Sequence, residues 1–196
     1  VDTQDNRLEY EICGWGEGEE CWGIKKGIVL GVPDNPATWA ELDQQLDRPY
    51  RFANGTGLVV ARTFIDSGGH YTQDVYKYCF ANMHKNRFAI KGVSGAGLPL
   101  IYKISKVAEY GIPLVLIGVD NGKQYVMDRL SIEKPGPKFF HFPQDNGQAA
   151  KIREVIHQAG VPLPEILFLR GYDRFYFKGL IAEQLVPRTV RGKRVM

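Results

Sequence analysis

Gly57-Leu58-Val59-Val60-Ala61-Arg62-Thr63-Phe64-Ile65-Asp66-Ser67-Gly68-Gly69-His70 is the stretch whose reading decides the fold. Residues 57–65 are mostly apolar and β-branched or aromatic, bounded by turn formers, which is the pattern of a strand buried within a sheet. Asp66 ends the run. Gly68 and Gly69 then permit a tight turn and a close backbone approach, and Tyr71-Thr72-Gln73-Asp74 opens a stretch of helical periodicity. Strand, acid, glycine turn and helix together put Asp66 at the carboxyl edge of a sheet, where open α/β folds hold their ligands. A carboxylate that merely caps the following helix reads equally well from this segment alone. What separates the two is whether other acids converge on Asp66.

Upstream, Arg7–Trp15 alternates polar and apolar residues, the signature of a half-exposed strand, and Gly16-Glu17-Gly18-Glu19 makes a turn into a second strand from Cys21 to Leu30. The pair predicts an antiparallel hairpin. Pro33-Asp34-Asn35-Pro36 breaks the pattern before a helix with Trp39, Leu42 and Leu46 at helical spacing. Downstream, the periodicity predicts a helix from Thr72 to Met83 with Val75, Tyr76, Cys79, Phe80 and Met83 as its core stripe, then a short strand Arg87–Gly92. Gly92-Val93-Ser94-Gly95-Ala96-Gly97 lacks the Lys-Ser/Thr pair of a phosphate-cradling loop and reads as a mobile loop. Pro113–Asp120 reads as another buried strand ending in an acid, and 121–130 as a helix with Val126 and Leu130 inward. Phe139–Pro143 is a short apolar piece, and 148–159 a helix. Asp173 is a candidate N-cap for a last helix expected over 174–185, with Tyr176, Gly179, Leu180 and Glu183 along one face.

The 196 residues suffice for one sizeable core, so a single α/β domain over 1–196 is expected. The net charge of +3 is mild, but Arg188, Arg191, Lys193 and Arg194 form a basic tail with no acid after Glu183, a weak nucleic-acid signal and more often a solvated end. Cys13, Cys21 and Cys79 match no zinc spacing, so reduced thiols of a soluble, intracellular protein are expected. No apolar run has the length to span a bilayer and no signal peptide is visible. The start at Val1-Asp2, without methionine, reads as a piece of a longer polypeptide.

An early antiparallel hairpin, a helix, a strand ending in an acid, and further helix and strand units describe a ribonuclease H-like architecture: a central mixed sheet with antiparallel N-terminal strands and flanking helices. Asp2 precedes the hairpin, where that fold places its first catalytic carboxylate, on the strand beside the one ending in Asp66. Two neighbouring strand-end carboxylates repel unless cations lie between them. Mg²⁺ suits such a site because it accepts a few carboxylates and keeps water ligands, and two such ions can activate water and stabilise the leaving oxygen of a phosphodiester. Glu183 is the best-placed third acid.

Val1-Asp2-Thr3-Gln4-Asp5-Asn6-Arg7-Leu8-Glu9, Ile65-Asp66-Ser67-Gly68-Gly69-His70, Ala89-Ile90-Lys91-Gly92, Gly118-Val119-Asp120, His141-Phe142-Pro143 and Phe177-Lys178-Gly179-Leu180-Ile181-Ala182-Glu183 together resemble the carboxyl-terminal nuclease domain of lambda-type phage terminase large subunits. The matches run in order through nearly the whole chain. The resemblance implies an endonuclease dependent on Mg²⁺ or Mn²⁺ that cuts concatemeric viral DNA during packaging in the host cytoplasm. It implies Asp2, Asp66 and Glu183 as metal-binding acids and Lys91 as the functionally required lysine. Expected partners are double-stranded DNA, the rest of the large subunit with its amino-terminal ATPase motor, the small terminase subunit and the portal.

Each position has a rival account. Asp5 reads first as the shaper of the Asp5-Asn6 turn, Asp120 as a helix cap ahead of a fourth acid, and His141 as a packed structural histidine. His70 is close enough in sequence to Asp66 to reach a metal or the attacking water, although a turn histidine is the commoner outcome. His84 and His157 carry no signal. Lys91 reads as a surface strand residue or as a cation that orients water or offsets phosphate charge, and Glu183 as an exposed helix acid or a ligand. A restriction-type nuclease needs an acid two residues before the lysine, where Ala89 stands. Two other classes remain open: a nucleotide-binding ATPase of the actin and sugar-kinase type, for which Asp66-Ser67-Gly68-Gly69 fits loosely but Asp2-Thr3-Gln4 is not glycine-rich, and a non-catalytic DNA-binding module of ribonuclease H-like fold.

Overall fold

Alternating side chains make Arg7–Trp15 a strand, β2, because Leu8, Tyr10 and Ile12 on one pleat can all be buried at once. The computed structural model describes residues 1–142, Tyr172, Tyr176, 188–190 and 193–195. The chain divides into two compact units, one made of Val1–Tyr10 and Ile28–Tyr125, the other of Glu11–Gly27 and Val126–Met196.

In the first unit, β1 (Asp2–Gln4) pairs antiparallel with β2, Asp2 opposite Glu9 and Thr3 opposite Leu8. The end of β3 (Cys21–Leu30) is the next neighbour of β2. Asn35 starts α1 (Pro36–Leu46): its side chain accepts from the Ala37 N–H at 3.0 Å, and Pro36, which has no N–H to leave unpaired, occupies the first turn. Trp39, Leu42 and Leu46 are buried at the spacing the sequence predicts. The Trp39 indole N–H donates to the Pro33 carbonyl at 2.7 Å, and its ring stacks on Tyr78 at 4.3 Å.

A short hairpin, β4 (Tyr50–Arg51) with β5 (Gly57–Leu58), precedes β6 (Thr63–Asp66). The buried strand expected over 57–65 is therefore corrected: only its last three residues, with Asp66, lie in the sheet. The reason is the partner. β7 (Arg87–Val93) begins pairing with β6 at Thr63–Arg87, so 59–62 have no ladder to join, and Leu58 and Val59 remain exposed.

α2 (Thr72–Ala81) buries Val75, Tyr76, Tyr78 and Cys79. Phe80 and Met83, expected in the core stripe, are exposed. Met83 falls beyond the last helical residue, in a 3₁₀ turn, and Tyr78 is drawn inward by polar partners described below. β9 (Pro113–Gly118) pairs parallel with β7, and β8 (Ile101–Lys106) pairs antiparallel with β9 at the sheet edge. α3 (Val119–Leu130) follows β9 directly.

Two backbone bonds join the sheet's halves: the Val1 nitrogen donates to the Phe64 carbonyl at 2.7 Å, and the Asp66 N–H to the Val1 carbonyl at 2.9 Å. This is the parallel pattern, with Val1 level with Ile65. The strand order in the first unit is thus β3-β2-β1-β6-β7-β9-β8, with β2 and β8 opposed to their neighbours. One pleat carries Leu8, Tyr10, Ile65, Arg87 and Ala89, all buried.

The last residue of β9, Gly118, lies where the backbone of 98–99 passes closely. A Cβ there would lie 2.5 Å from the Pro99 carbonyl oxygen and 2.8 Å from that of Leu98, both backbone atoms that cannot swing away. Gly118→Ala is expected to cost about 1–3 kcal/mol through overpacking, read as a lower urea midpoint at unchanged slope.

In the second unit, the tip of the β2–β3 hairpin meets β10 (Phe140–His141), which pairs parallel with β3. His141 stacks on Trp22 at 4.9 Å with its Nε2 2.6 Å from Glu20, the packed structural role expected of it. β11 (Arg188–Val190) and β12 (Lys193–Val195) form a hairpin within the basic tail. The helices expected over 148–159 and 174–185 lie outside the described residues, apart from Tyr176, which is helical.

Candidate functional site

The pairing of Val1 with Ile65 fixes the site. In a parallel pair, level residues share a face, so Asp2 and Asp66 stand side by side on adjacent strands, on the pleat opposite the buried Ile65. Asp2 is exposed and Asp66 half-buried.

The turn after β6 is built around the Asp66 carboxylate. Asp66 Oδ1 accepts from the Gly68 N–H at 3.0 Å, and Thr3 Oγ1 donates to the Asp66 carbonyl at 2.9 Å. A Cβ on Gly68 would stand 3.2 Å from that same Oδ1, so glycine lets the backbone close on the acid. Thr72 Oγ1 reaches both the Ser67 and Gly69 carbonyls at 2.8 Å and locks the turn onto the start of α2. The Asp2 Oδ2 accepts from Gln4 Nε2 at 2.6 Å.

Sequence reasoning passed over Glu9. It faces Asp2 across β1–β2, which places three acids level on three consecutive strands, but its Oε1 is held by Arg7 Nε at 2.8 Å. Antiparallel register after a two-residue turn was the available signal. Asp5 does sit in the Asp5–Asn6 turn, and it also meets the His70 Nδ1 at 2.9 Å, both side chains being exposed.

Lys91 is placed differently. Asp66 is level with Ile90 on β7, so Lys91, the next residue, projects from the opposite pleat, where it is exposed. Asp120 lies in the first turn of α3, where an acid complements the helix dipole. His84 is exposed in the 3₁₀ turn Met83–Lys85. Glu183 and His157 lie outside the described residues.

Two adjacent carboxylates with free lone pairs are hard oxygen donors of the kind Mg²⁺ and Mn²⁺ accept, and a bound cation would cancel their repulsion. The pair fits such an ion but supplies two ligands; among the described residues no group of three or more His, Cys, Asp or Glu is arranged to hold a metal.

The largest electrostatic perturbations of the first unit lie elsewhere, at a buried cluster. Arg87, 3% exposed, pairs with Asp43 and with Asp47 at 2.6 Å and also meets the Tyr78 hydroxyl, while Lys85 holds Asp47 at 2.7 Å. Burial raises the Asp47 pKa, but Lys85 and Arg87 more than offset it and the carboxyl ends below its ordinary value. Burial raises the Tyr78 hydroxyl, and its bond to Asp43 adds to the effect. Burial pushes the Cys79 thiol up to about 12, which leaves it protonated and inert. Partners on α1, α2 and β7 that neutralise one another mark this as a structural network.

Comparison with known proteins gives one family: the description "Terminase large subunit gpA, endonuclease domain" matches residues 1–196. The chain is similar to the terminase large subunit of Escherichia phage lambda, at 30% identity over 149 residues, 74% of this chain and 23% of that protein. It is also similar to the terminase large subunit of Enterobacteria phage P21, at 28% identity over 193 residues, 98% of this chain and 27% of that protein. The chain thus spans about a quarter of the length of the curated relatives it matches. No solved structure matches.

Proposed function

Because the chain belongs to the endonuclease-domain family of terminase large subunits, we propose that it hydrolyses phosphodiester bonds of concatemeric viral DNA during genome packaging, with divalent cations bound by Asp2, Asp66 and Glu183. The observation that carries this reading is the side-by-side placement of Asp2 and Asp66 by the Val1–Ile65 pairing. The order β3-β2-β1-β6-β7, with only β2 reversed, also supports a ribonuclease H-like fold.

When bound, two Mg²⁺ or Mn²⁺ ions lower the pKa of a water and stabilise the leaving oxygen. The chain's own residues prepare for that. The Gly68 N–H and the Thr3 hydroxyl fix the Asp66 carboxylate and its backbone, so its rotamer is set before any ligand arrives. Glu183 supplies the third acid in this reading, and Lys91, on the neighbouring strand β7 though on the pleat opposite Asp66, is the lysine the reading requires for activity. Basic side chains hold the DNA backbone without reading sequence. The ATPase part of the large subunit, the small subunit and the portal, met in the host cytoplasm, would supply the choice of cutting site.

Supercoiled plasmid incubated with the purified chain in Mg²⁺ or Mn²⁺ is expected to be nicked, and EDTA to stop it. Intact plasmid with both metals would overturn the reading.

A further inference from the structure

From Arg48 to Ile65 the chain carries three arginines, Arg48, Arg51 and Arg62, and no aspartate or glutamate. The middle of this stretch is the β4–β5 hairpin, Tyr50 opposite Leu58 and Arg51 opposite Gly57. Its tip is organised by its own bonds: Phe52 N–H donates to the Thr56 carbonyl at 2.7 Å, and Asn54 Oδ1 accepts from the Thr56 N–H and hydroxyl at 3.0 and 2.6 Å. Gly55 takes φ +86, which a side chain there would resist.

Every residue from Arg51 to Val59 is exposed, including Phe52 at 56%, Leu58 at 62% and Val59 at 65%. An isolated two-stranded hairpin is marginal in water, and an ordered one that exposes apolar and cationic groups together, with no acid among them, fits a polyanion better than solvent. The cations are supported as well. Arg48 lies over the Tyr50 ring at 5.0 Å, and Arg51 Nη1 donates to the Gly55 carbonyl at 2.9 Å while the residue stays exposed.

We propose that the hairpin and the segment 59–62 that follows it are a docking arm for duplex DNA, with Arg51 and Arg62 on phosphates and Phe52 against the groove wall. This rests on the nuclease reading and extends it to how the substrate is held. The reach is adequate. β6 spans roughly 10 Å from Thr63 to Asp66, and residues 59–62 add at most about 14 Å. The near end of the arm, Val59 to Arg62, therefore lies within about 25 Å of the acid pair, less than one turn of B-DNA at about 34 Å, and the hairpin extends beyond it.

The test is binding of a labelled 30-base-pair duplex to the full chain in EDTA, across a salt series. Arg51→Gln with Arg62→Gln should weaken binding at least tenfold at moderate salt and flatten the log–log salt slope by about 1.8. Phe52→Ala should weaken binding without changing the slope. Lys103→Gln with Lys106→Gln, which removes the same charge from the exposed edge strand β8, should change the slope by less than half as much. An arginine pair variant that binds like wild type, or a β8 variant that loses as much, overturns the arm while wild-type binding and nicking leave the nuclease reading standing. Failure of the wild-type chain to bind the duplex at any salt would overturn both.

Discussion

Asp66→Asn should abolish metal-dependent nicking, by about 10³-fold or more, while leaving the fold as stable as wild type or slightly more so. The activity loss follows if the carboxylate holds an ion that supplies several kcal/mol of transition-state stabilisation, since each 1.36 kcal/mol is a factor of ten. The stability forecast follows from different contacts. Asparagine keeps an oxygen for the Gly68 N–H at 3.0 Å and cannot disturb the Thr3 bond, which goes to the backbone carbonyl. It also removes one of two like charges held level on neighbouring strands, a repulsion worth about 0.2–1 kcal/mol. Thermal melts separate function from folding. Mn²⁺ at ten times its dissociation constant should stabilise wild type by about 1.4 kcal/mol by mass action, and the variant should gain little. If the variant nicked plasmid at the wild-type rate, or were stabilised equally by Mn²⁺, Asp66 would not be a ligand.

The acid pair was legible because both members sit at strand positions that announce themselves: Asp66 closes a β-branched run before a glycine turn, and Asp2 lies just ahead of an alternating hairpin whose bounds, 7–15 and 21–30, the structure reproduces. Periodicity also gave α1 and its buried Trp39, Leu42 and Leu46. What it could not give was pairing. Whether Val59 and Val60 extend a strand depends on where β7 begins, and nothing local to 57–62 records that. β8 escaped notice for a related reason: an edge strand with one covered neighbour has no face that must be apolar, and all its residues but Ser105 are exposed. Lys91 illustrates a limit of motif reading, since a lysine on the strand beside a strand-end acid lands on either pleat according to a one-residue register. Tyr78 went inward against the stripe because a hydroxyl bonded to Asp43 and Arg87 can be buried where a simple hydrophobic count would choose Phe80.

Arg87→Leu should destabilise the chain by about 3 kcal/mol, a large share of the 5–15 kcal/mol available to a domain. Arg87 is buried with Asp43 and Asp47 as its ion-pair partners, so its removal leaves two carboxylates with one cation, Lys85 on Asp47, and Asp43 with the neutral Tyr78 hydroxyl. The estimate sits at the low end for a broken buried pair because water reaches Asp47, whose side chain is 43% exposed and partly screened. The defect is charge left without a partner, not lost volume. Arg87→Leu combined with Asp43→Leu should therefore recover much of the loss, as replacing a whole buried ion pair often does. The acid limb gives a second check. The folded Asp47 pKa lies below 3.8, so its pairing contributes fully above the ordinary carboxylate value and is lost as pH falls through the lower folded one. Urea melts from pH 6 down to pH 2 should show wild-type stability falling more steeply in the acid range than that of Arg87→Leu, in which Asp47 has lost one of its two cations. Parallel curves would mean that Arg87 fills space rather than holds charge, and the double variant would then be worse than the single one.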